Sequence, residues 1–367
     1  MNTSILGFNG KNNIYKISFS SNTNVISPSY NVLLVSGTHI VIPHEQLRFE
    51  TDYNSYSILN ELGEGACIEL DTHGKICSTF GKNNDNTLYI TDKCNSNCIM
   101  CPMAEPARKN GQSTPFEILD ELIEYMPCNM EHLTITGGEP FYIREKMFDI
   151  LTKLKSGNKA HSYLLLSNGR IFANQNYCHM LAGSVPEDFL VGIPLHGPNP
   201  VIHDTITQTP GSFEQTTNGI KNLLSTQMMS VEIRIVVNKI NAPYLLELAH
   251  FIILNFPSIH SIKFMGMEML GNAIINSDKV WIDYKDAFLY IKPAINLLIS
   301  NAIDVAIYNF PLCFVDRPYW HICMNSITKH KIKYSTFCND CIEKKACGGM
   351  FTGTDKYLSD KVQPITL

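Results

Sequence analysis

Three cysteines, Cys94, Cys98 and Cys101, stand in one short loop with gaps of three and two residues. Thiolates spaced this way can wrap one compact inorganic centre. Soft thiolate sites select zinc or iron–sulfur. Structural zinc needs a fourth ligand, and the nearest candidates, His73 and His132, are not at zinc-finger spacing. Three thiolates on a four-iron cluster leave one iron without a protein ligand, and an open iron can hold a small chelating molecule. A second thiol group lies near the end of the chain. Cys338 and Cys341 form a C-x-x-C pair, Cys347 follows with Gly348-Gly349, and Cys313 lies upstream. Four thiolates could close a second [4Fe–4S] cluster or hold a four-Cys zinc. Cys323 is the substitute candidate for Cys313. The other cysteines (Cys67, Cys77, Cys128, Cys178) are scattered and read as small buried apolar residues.

The first spacing resembles the cluster motif of the radical S-adenosylmethionine (SAM) enzymes. In that family the residue before the third cysteine is usually aromatic; here it is Met100, a flexible apolar filler able to pack against the cluster or adenine. The resemblance implies a SAM-binding [4Fe–4S] cluster on Cys94, Cys98 and Cys101. The C-terminal cysteines resemble the auxiliary-cluster tail, of the twitch or SPASM type, found in peptide-modifying members. That resemblance favours iron–sulfur over zinc there.

These loops need elements to hold them. Residues 87–91 form a short β-branched run that reads as a strand entering the Cys loop. Thr114-Pro115-Phe116-Glu117 reads as a capping box with Pro at the first helical position. Apolar residues then follow at helical spacing. Strand and helix patterns alternate as far as residue 308, in six or seven units. Such alternation implies a parallel sheet with right-handed crossovers. The expected fold class is α/β, a partial (β/α)6 barrel with the site on its C-terminal rim. Residues 1–85 hold short β-rich runs punctuated by Gly, Asn and Ser, with one helical stretch near 56–62. The expected domains are 1–85, a small β-rich accessory unit; 86–308, the barrel; and 309–367, the auxiliary-cluster region.

On the expected rim, Gly137-Gly138-Glu139-Pro140 follows the second strand. Adjacent glycines let a ligand approach the backbone, and Glu139 offers oxygens to an ammonium group. The stretch resembles the family motif that contacts the SAM amino group. Ser167 and Asn168, after the third strand, are candidates for the SAM ribose or carboxylate. Arg234 lies inside a strand and needs a partner if it faces inward; the SAM carboxylate and a buried acidic side chain both qualify. Residues 266–273, with Glu268 and Gly271, correspond to a stretch that wraps adenine in related enzymes. Glu268 and His196 are the candidate catalytic side chains. Related families carry Ser and Asp where this chain has Pro194 and His196.

The chain has 367 residues, 44% hydrophobic and 17% charged, with net charge -5 and pI ≈ 6.2. This argues against a nucleic-acid or anionic-membrane surface. Residues 1–13 lack a signal-peptide core and no membrane span is indicated. Twelve cysteines in such a chain point to metal in a reducing, cytoplasmic compartment.

Residues 87–367 more narrowly resemble the radical-SAM maturase, component C, of the His-Xaa-Ser peptide-modification system. The stretches that carry this are the Cys triad, 133–140, 166–172, His203-Asp204, Gly211-Ser212-Phe213, 231–237, 265–273, 308–320 and 338–351. The resemblance implies reductive cleavage of SAM to a 5′-deoxyadenosyl radical. Hydrogen abstraction from a ribosomally made peptide, such as an oxidative crosslink, would follow. It also implies as partners a precursor peptide, a reductant such as flavodoxin or ferredoxin, and a second radical SAM protein. Two rivals stay open. One is a small-molecule radical SAM enzyme like a molybdopterin-precursor synthase, a type whose C-terminal cluster usually has three Cys and an open iron. The other is a non-catalytic iron–sulfur protein.

Overall fold

The computed structural model describes residues 4–11, 13–19, 30–83, 86–326 and 331–366. Its first sheet holds β1 (Ile14–Ser18), β2 (Val32–Ser36), β3 (His39–Ile42), β4 (Leu47–Glu50), β5 (Cys67–Leu70) and β6 (Ile76–Phe80), in the order β4-β3-β2-β1-β5-β6. Alternate residues such as Tyr15, Ile17, Leu33 and Val35 enter one apolar core, which Leu59 joins from the helix Tyr53–Leu62. Asp52 caps that helix by accepting the Ser55 N–H at 2.8 Å. β4 has no counterpart in the sequence reading. Its outward Arg48 and Glu50 dilute the β signal of a four-residue strand. Within the expected accessory unit, residues 1–3, 12, 20–29, 84 and 85 lie outside the described residues.

The second sheet is a curled parallel half-barrel of eight strands. Its members are β7 (Asn86–Tyr89), β8 (Met130–Thr136), β9 (Ala160–Leu166), β10 (Phe189–Pro194), β11 (Ser230–Val236), β12 (Ser261–Met265), β13 (Asp304–Tyr308) and β14 (Cys323–Met324). They neighbour one another in sequence order. Parallel pairing demands long crossovers. The helices Phe116–Tyr125, Lys146–Ser156, Gln175–Ser184, Ser212–Thr226, Leu245–Asn255 and Tyr284–Ser300 lie in those crossovers. In β8–β13 one face is apolar and buried, as with Ile233 and Ile235 on β11 or Ile262 and Phe264 on β12. The expected α/β partial barrel is thus present, extended by the two-residue β14, which is too short to leave a sequence pattern. The expected capping box is not formed. Pro115, not Thr114, precedes the first helical turn, and the Thr114 hydroxyl donates to the Tyr89 carbonyl at 3.1 Å.

Packing divides the chain into two compact units. One comprises Met1–Thr91, Ser113–Leu165 and Ser184–Phe189; the other Asp92–Gln112, Leu166–Gly183 and Leu190–Leu367. Both Cys groups fall in the second unit. Among the described residues, no helix is long and apolar enough to cross a membrane.

Candidate functional site

The Cys94–Cys101 loop is bound to its surroundings by its backbone. Asn97 N–H donates to the Thr207 carbonyl at 3.1 Å and Ile99 N–H to Ile206 at 2.9 Å. Ile99 and Met100 insert into an apolar cluster with Ile206, Met267 and Met269, so Met100 acts here as a core filler. All three cysteines remain partly exposed, and Ser96 N–H donates to Cys94 Sγ at 3.4 Å. Burial pushes the Cys98 thiol up to about 12, with Cys101 and Cys94 adding to the rise and Arg108 opposing it. The three sulfurs therefore sense one another's charge, and a cationic centre among them would relieve that cost. Among the described residues, no three His, Cys, Asp or Glu side chains converge on one metal-ion position. A four-iron cube does not require this, because each thiolate binds a different iron. The donor set fits such a cluster.

A clasp of polar side chains fixes the loop. Arg108, only 5% exposed, donates from Nη2 to Asn97 Oδ1. Asn272 Nδ2 donates to the same oxygen at 3.2 Å and to the Cys98 carbonyl at 3.0 Å. The Asn272 N–H reaches the Cys101 carbonyl at 2.9 Å. Gly271 makes this approach possible: it adopts φ 52°, and a Cβ there would lie 2.4 Å from the Pro102 carbonyl oxygen. Opposite, Arg170 Nη1 donates to the Asn95 carbonyl at 2.7 Å and Ser96 Oγ at 3.0 Å. Arg108, Asn97, Asn272 and Arg170 were not singled out by sequence. A charged residue in a surface-type helix and scattered Asn leave no pattern, and only the Gly271 neighbourhood carried a hint. Beside Cys94 a groove of about 620 Å³ is lined by Asn95, Ser96, Asn97, Arg108 and Lys109.

The remaining expected site residues are placed as follows. Asn168 Nδ2 donates to Asn95 Oδ1 at 2.6 Å, and the buried Ser167 hydroxyl accepts the Gly169 N–H at 3.1 Å. Asn168 thus braces the start of the Cys loop, while Ser167 closes the turn after β9. Arg234 has the buried acidic partner that was the alternative to SAM: its Nε donates to Glu232 Oε1 at 2.5 Å. Glu268 pairs with Lys331 at 3.3 Å. His196 is buried, stacked at 5.9 Å on His203, and its Nδ1 has no hydrogen-bond partner among the described residues. Burial depresses its pKa to about 3 and that of His203 to about 4. The His196 ring is therefore neutral near pH 7, which removes an imidazolium as the proton source there. In the first unit, Gly137 and Gly138 follow β8. Gly138 N–H donates to the Thr91 carbonyl at 2.6 Å, and a Cβ on Gly137 would lie 2.6 Å from that oxygen. Glu139 is 2% exposed and accepts the Phe141 N–H at 3.1 Å. Pro140 starts the turn Pro140–Ile143.

The C-terminal thiols share one cavity. Cys313, Cys338, Cys341 and Cys347 all line a space of about 380 Å³, with Tyr334 and Gly349. Backbone N–H groups of Leu312 and Gly349 donate to Cys347 Sγ at 3.4 Å each, and Ile365 N–H to Cys341 Sγ at 3.4 Å. Burial raises the Cys313 thiol to about 11, with Cys347 and Cys338 contributing. Cys323 is not on the lining; it lies in β14 and donates to the Tyr319 carbonyl at 3.5 Å.

Residues 88–252, from β7 into the helix after β11, match the model of the Radical SAM superfamily. The match covers less than half of the chain and marks a similarity to that superfamily. It implies a [4Fe–4S] cluster and SAM, in keeping with the all-sulfur triad. A GTP 3′,8-cyclase of Petrotoga mobilis is 26% identical over 201 residues, covering 54% of this chain and 59% of that protein. An uncharacterized protein of Methanocaldococcus jannaschii is 27% identical over 175 residues, covering 45% and 57%. The chain thus spans less than two thirds of the length of these relatives. Among solved structures, Streptococcus suis SuiB bound to the precursor peptide SuiA is similar with a TM-score of 0.47 and 14% identity, over 60% of this chain and 48% of that one.

Proposed function

We propose that this radical SAM enzyme modifies a ribosomally made peptide, as a maturase of the His-Xaa-Ser type. The observation that carries the reading is the C-terminal cavity lined by four thiols, Cys313, Cys338, Cys341 and Cys347. Four thiolates complete an auxiliary [4Fe–4S] cluster. A small-molecule enzyme of the molybdopterin-precursor type would leave one iron open and need only three. In the proposal the chain has three parts: 1–85 as a structural cap, 86–308 as the barrel and 309–367 as the auxiliary-cluster region.

Cys94, Cys98 and Cys101 would hold the first cluster, with the open iron facing SAM. When bound, the cluster and SAM together supply reductive cleavage of the sulfonium and hydrogen-atom abstraction. The chain's own groups bind and orient. Arg108, Asn97 and Asn272 hold the loop in one conformation, so that the thiolates need little reorganisation. The Gly137-Gly138-Glu139-Pro140 turn offers close backbone approach and a carboxylate for the methionine ammonium. Ser167, Asn168, Arg234, Met100 and Gly271 would hold the remaining parts of SAM. Glu268, held by Lys331, and the neutral His196 are the polar groups available to substrate. Backbone N–H groups aimed at Cys341 and Cys347 would tune the auxiliary centre. The partners are the precursor peptide, a flavodoxin- or ferredoxin-like reductant and a second radical SAM protein.

The competing small-molecule reading has one observation in its favour, the 26% identity to a GTP 3′,8-cyclase. One experiment separates them. Reconstituted, reduced protein is incubated with SAM and either a candidate peptide bearing His-Xaa-Ser repeats or GTP. The peptide reading expects a change in peptide mass, such as loss of two hydrogens, and unchanged GTP. Consumption of GTP with an unmodified peptide would overturn it.

A further inference from the structure

Residues 266–271 leave β12 as neither helix nor strand. Asn272, at their end, nevertheless holds the Cys98 and Cys101 carbonyls. A segment without ladder bonds opens easily unless other parts of the chain hold it. Groups outside the segment must therefore fix it before it can fix the Cys loop.

The C-terminal region does so at three consecutive residues. The Thr354 hydroxyl donates to the Met267 carbonyl at 3.0 Å and accepts the Met269 N–H at 3.3 Å. Between them, Glu268 is paired with Lys331 at 3.3 Å. A Cβ on Gly353 would lie 2.6 Å from the Met269 carbonyl oxygen, so the two backbones touch. Thr354 and Met269 are fully buried, and bulk water cannot replace a bond lost there. Met267 and Met269 also share one apolar cluster with Ile99 and Met100 of the Cys loop.

Thr354 is itself firmly placed. Its N–H donates to the Phe351 carbonyl at 2.9 Å. Phe351 belongs to β16 (Met350–Phe351), which pairs with β15 (Ile332–Lys333). Thr352 adds two bonds to the Lys331 carbonyl, from N–H at 2.8 Å and from Oγ1 at 2.9 Å. A hydroxyl donates once and still accepts. It can therefore serve a carbonyl and an N–H two residues apart, which neither valine nor alanine can do.

We propose that Thr354 is a positioning residue for the Cys94–Cys101 loop. It acts through Met267, Met269 and Asn272 on the carbonyls of Cys98 and Cys101. The region that carries the C-terminal thiols thereby shapes the first thiol site as well. The inference deepens the proposed cluster site and rests on that reading only where a cluster is measured.

The test is hydrogen–deuterium exchange of residues 94–101 in the metal-free full chain, read by mass spectrometry. It reports local opening apart from global unfolding. Thr354→Val removes both bonds at nearly constant volume. Exchange of that peptide should become about 10-fold faster, the scale of a buried donor left unpaired. Thr354→Ser keeps the hydroxyl and should exchange like the parent. Leu181→Ala, a cavity in the helix Gln175–Ser184, should lower the denaturation midpoint and leave the peptide's rate alone. Thr354→Ala removes the same two bonds and carries the same expectation should the valine chain not fold. In reconstituted, reduced Cys341→Ala protein, Thr354→Val should change the EPR line shape of the remaining cluster, and Thr354→Ser should not. Faster exchange with no EPR signal at all would count against the cluster reading and leave the positioning role standing. A Thr354→Val rate within about twofold of the parent, equal acceleration by Leu181→Ala, or an unmoved line shape overturns the proposal.

Discussion

Gly271→Ala tests whether the clasp shapes the cluster loop. At φ 52° and ψ -124°, Gly271 occupies a conformation that L residues rarely adopt. Forcing alanine there costs about 1–3 kcal/mol. The added Cβ would also meet the Pro102 carbonyl oxygen at 2.4 Å and the Ala104 nitrogen at 2.7 Å. Both are backbone atoms of the segment that leaves Cys101, so no side chain can rotate aside. Relief needs the segment itself to shift, at a further cost of about 1–3 kcal/mol by analogy with overpacked sites. The sum, roughly 2–6 kcal/mol, is a large part of a typical net stability of about 5–15 kcal/mol. Because Asn272 holds the Cys98 and Cys101 carbonyls, the displacement falls on the cluster ligands. Urea unfolding of the metal-free protein should show the stability loss, and reconstituted protein should retain less iron. A variant within about 0.5 kcal/mol of the parent, the scale of neutral surface changes, with full iron would refute the reasoning.

Cys341→Ala should lower iron from roughly eight to four atoms per chain, as loss of one of two four-iron centres requires. Cys323→Ala should leave it unchanged; iron unaltered by Cys341→Ala, together with bound zinc, would favour the structural-metal reading. Arg108→Gln should retain the first cluster but shift its midpoint potential to a more negative value in an EPR redox titration, because a buried positive charge favours the reduced state. An unmoved potential would make Arg108 a packing residue only. For the stacked histidines the folded pKa values, about 3 for His196 and about 4 for His203, lie below the usual 6.5. Protons therefore favour the unfolded chain. The stabilisation is complete above pH 6.5 and is lost as pH falls from there toward 4 and then 3. His196→Phe keeps the backbone N–H that bonds His203 and removes the unpartnered Nδ1. Its denaturation midpoint should match or exceed the parent's at pH 7 and fall less steeply on acidification; equal steepness would contradict the assignment.

The alternation of apolar strands and amphipathic helices was legible because parallel strands bury one face against crossover helices, as Ile233, Ile235, Ile262 and Phe264 do. β4 and β14 were not, being four and two residues long. Thr114 looked like a helix cap by composition, but its hydroxyl serves the neighbouring β7 backbone instead. The thiol spacing announced the site because Cys94, Cys98 and Cys101 all stand in one short loop, whereas Cys313 joins Cys338, Cys341 and Cys347 only through the fold. The clasp was silent: Arg108 and Asn272 are 164 positions apart and meet through Asn97 only after folding. Arg234 was judged to need a partner, and strand alternation supplies one locally: Glu232, two residues away on the same face of β11.

The most direct measurement is the count of 5′-deoxyadenosine released from SAM by anaerobically reconstituted, dithionite-reduced protein, beside Cys98→Ala prepared in the same way. The account predicts release by the parent and none by the variant. Release that persists without Cys98, or a parent that takes up iron yet leaves SAM intact, would contradict it.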